Sequence, residues 1–179
     1  MGDKMGKYRH LLLVGDSMIE FFDWQGRFPE LKVDNLGRAG ESVEELQLRA
    51  ENIVRRFAPP DLVLIMIGTN NVAMENFAFH ASYEGILSTF KKAWTDADLL
   101  VNSLLPMELG YLAPDTVERV NGRLKELAER NGADYLDVWS AMAGKEGRAL
   151  AGMLEDEVHL TREGYRIWSG ALESYLNRK

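Results

Sequence analysis

Leu11-Leu12-Leu13-Val14-Gly15-Asp16-Ser17-Met18-Ile19-Glu20-Phe21-Phe22 reads as a strand, a turn and the start of a helix. Four apolar residues in a row suit a strand covered on both faces. Gly15-Asp16 supplies the turn, which puts Ser17 at a helix N-terminus. Backbone N–H groups at such a point lack intrahelical partners and can receive a developing negative charge. A serine there is either a helix N-cap or a nucleophile, and these residues alone favour the cap.

The alternation continues outward along the chain. Residues 31–36 read as a short second strand. Residues 41–57 predict a helix, with Val43, Leu46, Ala50 and Ile53 spaced three or four apart. Pro59-Pro60 breaks it. Residues 62–67 are apolar at every position, which suits a central parallel strand. A loop from 68 to 78 leads to a helix over 81–94, and residues 98–104 form a fourth strand. The loop 106–114 precedes a helix over 115–130, which Asn131-Gly132 ends. Residues 135–138 make a fifth strand, 143–160 are irregular, and 161–176 form the last helix. Strands alternating with helices predict an α/β fold. The expectation is a flavodoxin-like three-layer α/β/α sandwich with a five-stranded parallel sheet, residues 1–179 forming one domain. Ligands of such sheets bind outside the carboxyl ends of the strands.

Composition narrows the function classes. The chain has 179 residues, 46% hydrophobic and 27% charged, with a net charge of −7. No run of Lys and Arg of the kind that binds phosphate backbones is present, so nucleic acid is not an expected partner. The absence of cysteine rules out disulfides and Cys-ligated metal centres. Three dispersed histidines without an i, i+4 pair argue against a metal-dependent hydrolase. No G-x-x-x-x-G-K-[ST] or G-x-G-x-x-G run supports a phosphate- or dinucleotide-binding module, and no cofactor is expected. No stretch approaches a membrane span, and Gly15 stops the first apolar run before it makes a secretory core. Met1-Gly2 opens like an N-myristoylation signal, but Gly6 stands where Ser or Thr is required. The expected location is the cytoplasm. The oligomeric state stays open, a homodimer included.

The informative polar residues follow the apolar strands. Ser17 follows the first, Asn35 to Ser42 the second, and Gly68-Thr69-Asn70-Asn71 the third; Asp156-Glu157-Val158-His159 precedes the last helix. A serine nucleophile needs an adjacent base, and His159 can serve because imidazole titrates near neutral pH. His10 lies at the wrong end of the sheet, and His80 reads as a solvated residue at a helix start. An acid must hold the imidazole. Asp156 stands three residues away, with Glu155 and Glu157 as rivals. An acyl-transfer oxyanion needs fixed donors. The Ser17 N–H, the Gly40 N–H and the Asn70 amide can supply them, with Gly37 a rival to Gly40. Asp16 reads as structural, bonding turn N–H groups. Arg38 reads as solvated, and the aromatics after Ser17 as core or lid packing.

Gly15-Asp16-Ser17, Gly40, Gly68-Thr69-Asn70 and Asp156-x-x-His159, in this order, resemble the GDSL or SGNH hydrolase family over nearly the whole chain. The small intracellular members similar to the platelet-activating-factor acetylhydrolase catalytic subunit are nearest in size and layout. Met18 departs from the leucine of the GDSL motif, and Glu157 from the small residue frequent in the last block. The resemblance implies metal-free hydrolysis of a small-molecule ester. It implies Ser17 as nucleophile, His159 as base and Asp156 as the orienting acid. Ser17, Gly40 and Asn70 would form the oxyanion hole.

Overall fold

The computed structural model describes residues 7–178, so the acylation reading at residues 1–6 lies outside it. Strand β1 (His10–Gly15) leads through two single-turn helices, α1 (Ser17–Glu20) and α2 (Trp24–Arg27), into β2 (Lys32–Gly37). Then come α3 (Val43–Arg56), β3 (Leu62–Met66), α4 (Thr69–Ala73), α5 (His80–Ala93), β4 (Asp98–Asn102) and α6 (Thr116–Arg130). The chain closes with β5 (Asp134–Leu136), α7 (Trp139–Met142), a 3-10 turn at Lys145–Gly147 and α8 (Arg162–Leu176).

The five strands form one sheet, β2-β1-β3-β4-β5, and every pairing is parallel. All of β3 is buried, which explains its unbroken apolar run. Right-handed crossovers place α3, α5 and α6 on one face, where α3 packs on α5 and α5 on α6. On the other face, the Trp24 and Trp168 rings meet edge to face, 5.0 Å between centroids. Both indoles are buried with their N–H groups satisfied: Trp24 Nε1 donates to Ile19 O and Trp168 Nε1 to Asn102 Oδ1, each at 2.9 Å. The α3 start is a capping box. Ser42 Oγ accepts the Glu45 N–H, and the Glu45 carboxylate accepts the Ser42 N–H. This fixes the loop between β2 and α3.

The register brings the turns together. Gly15 pairs with Gly37 on one side and Met66 on the other, so β1, β2 and β3 end level. A Cβ at Gly15 would lie 1.9 Å from the Met66 carbonyl oxygen. Gly15→Ala is therefore expected to destabilise the protein by about 2 kcal/mol or more through overpacking, read as a lower midpoint of thermal unfolding. An unchanged midpoint would contradict this close approach of β1 to β3.

Three helices depart from the sequence reading, and α2 at Trp24–Arg27 is one where no element was expected. Residues 68–78 read as a loop, yet Thr69–Ala73 is helical. Tertiary bonds hold it: Asn71 Oδ1 accepts the Val43 N–H at 2.9 Å and Asn71 Nδ2 donates to Glu44 at 2.8 Å. Local propensity carries no trace of such partners. Helix α7 occupies Trp139–Met142, just past a fifth strand that is shorter than expected.

Candidate active site

Ser17 opens α1, but it is not the cap. Asp16 is the N-cap, its Oδ1 accepting the Met18 N–H at 3.0 Å. The Ser17 hydroxyl is thus left free for another partner. Ser17 is 7% exposed, and its Oγ lies 3.2 Å from His159 Nε2. The other ring nitrogen, Nδ1, is 2.8 Å from Asp156 Oδ2. Ser17, His159 and Asp156 stand in line although 142 residues separate the first two.

Local folding explains how Asp-x-x-His makes that contact. Asp156 Oδ1 accepts the N–H groups of Val158 at 2.7 Å and His159 at 2.6 Å, an Asx-type turn. The Glu155 N–H donates to the His159 carbonyl at 2.8 Å. Asp156 is therefore free to turn Oδ2 onto the imidazole. The His159 N–H, the Val158 N–H and the imidazole hold the Asp156 carboxyl down at about 2. It is ionised throughout the neutral range. Glu155 and Glu157 are exposed, and Asp156 occupies the ring nitrogen for which they were rivals. Glu157 contributes its carbonyl, which accepts the Glu108 N–H at 2.8 Å and ties the 106–114 loop to the histidine loop.

The two glycines also separate. The Gly37 N–H is taken by Asn35 Oδ1 at 3.0 Å, and a Cβ there would lie 2.3 Å from Glu20 N. Gly37 serves close packing. Gly40 has a positive φ of 79°, and a Cβ there would meet nothing within 4 Å. Its N–H has no acceptor among the described residues. The turn is pinned to its surroundings by Arg38 N–H to Gly15 O (2.8 Å) and Ala39 N–H to Glu20 Oε2 (2.5 Å). Asn70, in the first turn of α4, donates one N–H to the Glu41 carbonyl at 2.9 Å, leaving its second N–H. The Ser17, Gly40 and Asn70 segments thus share the carboxyl rim of the sheet.

Asp16 is fully buried beneath this rim. Burial pushes its carboxyl up to about 6, against the Met18 N–H and Thr69, which pull it down. The raised value means that Asp16 favours the fold most below about pH 4, and that this contribution is lost as pH rises through about 6. The remaining histidines lie elsewhere. His10 starts β1 at the opposite end and bonds Asp34 at 2.7 Å. His80 is not the solvated residue expected: it is half-buried, stacks on Phe79, and its Nε2 has no partner among the described residues. Burial, then the Arg123 charge, lowers its pKa.

Two contacts at the site carry no signal in the sequence, although both residues stand out there as aromatics. The Phe21 ring lies 5.8 Å from the His159 ring, and the Tyr111 hydroxyl donates to the Ala73 carbonyl at 2.6 Å, bracing α4. Both contacts depend on loops brought together only by the fold. Among the described residues, no group of three His, Asp or Glu side chains is placed to hold a metal ion. No helix among them is long and apolar enough to cross a membrane.

Residues 13–167 match the model of the GDSL-like lipase/acylhydrolase family. Platelet-activating factor acetylhydrolase IB subunit alpha1 of Rattus norvegicus is 26% identical over 187 residues, covering 99% of this chain and 79% of the relative. A Streptococcus pneumonia structure whose name refers to platelet activating factor superposes with a TM-score of 0.82 at 21% identity, over 94% of this chain and 84% of the other. The W215I variant of Axe2, an acetyl xylan esterase from Geobacillus stearothermophilus, gives 0.72 at 20% identity, over 94% of each chain. The structural likenesses speak to the fold. The family match spans the Ser17 turn, the Asn70 turn and the Asp156–His159 loop, and by it the chain belongs to the GDSL-like lipase/acylhydrolase family, hydrolases that act on esters.

Proposed function

We propose that the chain is a serine esterase that works through an acyl-enzyme, with Ser17, His159 and Asp156 as its triad. The carrying observation is the line Ser17 Oγ, His159 Nε2, His159 Nδ1, Asp156 Oδ2, at 3.2 Å and 2.8 Å. Ser17 Oγ attacks the ester carbonyl as His159 Nε2 takes its proton. Ionised Asp156 stabilises the imidazolium and fixes the tautomer. The carbonyl oxygen becomes an oxyanion held by the N–H groups of Ser17 and Gly40 and by the free Asn70 N–H. As the C–O bond breaks, His159 returns the proton to the leaving alcohol. Water then attacks the acyl-enzyme, losing its proton to His159, which returns it to Ser17 Oγ as the acid departs.

We also propose that short acyl groups, acetyl foremost, are preferred. The names of an acetylhydrolase and an acetyl xylan esterase among the similar proteins support this. A p-nitrophenyl series from acetate to decanoate tests it: kcat/KM should fall beyond butyrate, and a maximum at decanoate would contradict it. Asn70→Ala should lower kcat on the acetate about 10²- to 10³-fold, with KM changed less, because the lost donor acts on charge that develops in the transition state. A loss confined to KM would remove Asn70 from the oxyanion hole.

A further inference from the structure

Of the five large hydrophobic side chains exposed among the described residues, four lie on the segments that follow β1, β2, β3 and β4. Phe21 is 60% exposed and lies against His159. Met74, 64% exposed, caps the end of α4, and Tyr111, 59% exposed, is bonded to the same helix. Leu48, 81% exposed, borders a shallow hollow with Gly40 and Arg38. Scattered apolar residues on a surface need no explanation, but an exposed ring held against the imidazole of the proposed base does. The core gains nothing from leaving it in water.

Phe21 is the one whose position assigns it to a particular part of the substrate. The leaving oxygen has to come within hydrogen-bond reach of His159 Nε2 to receive its proton. The oxyanion points the other way, toward the Gly40 and Asn70 turns. The substituent on the leaving oxygen therefore emerges on the imidazole side, where the Phe21 ring sits 5.8 Å from the His159 ring at an angle of 37°. Its own helix holds it there: the Phe21 N–H donates to Ser17 O at 3.0 Å, and Asp16 caps the helix start. The histidine loop also carries the exposed acidic residues Glu155, Asp156 and Glu157, and negative charge close in chain to the imidazole disfavours an anionic leaving group.

The geometry points to Phe21 as the residue that selects for an apolar, uncharged alcohol as the leaving group. This rests on the esterase reading above. It names the alcohol half of the substrate, about which the family match is silent. In the ground state and the transition state the apolar substituent covers the exposed ring, removing apolar surface of both from water. A methyl ester has too little surface to do so.

The test compares wild type with Phe21→Ala and Phe21→Leu on acetate esters of phenol, hexanol and methanol, and on phenyl butyrate. Taking the variant-to-wild-type ratio of kcat/KM for each ester cancels the intrinsic reactivity of the leaving groups. Phe21→Ala should lose about 5- to 30-fold on phenyl and hexyl acetate, in line with the loss of one apolar subsite, and less than about 2-fold on methyl acetate. Phe21→Leu should recover most of the hexyl acetate loss, and phenyl butyrate should fall in parallel with phenyl acetate. An equal loss on all four esters, or a loss that follows the acyl chain, overturns the assignment of Phe21. Inactivity of wild type on every ester overturns the esterase reading instead, and this inference with it.

Discussion

Ser17→Ala is expected to lower kcat/KM for phenyl acetate by roughly 10⁴-fold or more, leaving only what the oxyanion donors and binding provide. The substitution deletes one oxygen. The helix start survives it because the cap is Asp16, whose Oδ1 keeps the Met18 N–H. The Ser17 side chain makes its one side-chain bond to His159, so the melting temperature should move little. The two readouts must separate: activity lost, fold kept. Loss of both would point to a structural serine, and retention of activity would remove Ser17 from the chemistry.

His159→Ala should cost a comparable factor, and the double variant Ser17→Ala/His159→Ala should be no worse than either single one. Nucleophile and base act as a unit, so removing the second partner of a broken pair costs almost nothing more. Kinetics on the two single variants and the double variant read this directly. A double variant whose loss approaches the product of the single losses would mean that the residues act separately. The 3.2 Å contact between Ser17 and His159 would then be incidental.

The parallel sheet was legible because β1 and β3 are buried on both faces, and such strands must be apolar throughout. Helix α3 was legible from its period, the buried Val43, Leu46, Ala50 and Ile53 recurring every three or four residues, whereas the capping box at its start came from the structure. Helix α4 was not, since Thr69–Ala73 depends on Val43 and Glu44 for its Asn71 bonds. The same distinction runs through the candidate site. Residue types and order named Ser17, Gly40, Asn70, Asp156 and His159. Whether serine or aspartate caps α1, which glycine keeps a free N–H, and which of three adjacent carboxylates meets the imidazole depend on atomic positions. Those rivalries end in hydrogen bonds of Asp16, Gly37 and Asp156. Phe21 was visible only as an aromatic after the turn; its place over His159 comes from a loop 138 residues further along the chain.

The central claim is that Ser17 is a nucleophile activated by His159. The most direct measurement is peptide mapping by mass spectrometry after inactivation with a fluorophosphonate, in wild type and in His159→Ala. The account predicts one adduct per chain, on the peptide carrying Ser17, with labelling in His159→Ala slowed by about 10³-fold or more. An adduct on another residue, no adduct, or labelling of Ser17 at an unchanged rate without His159 would contradict it.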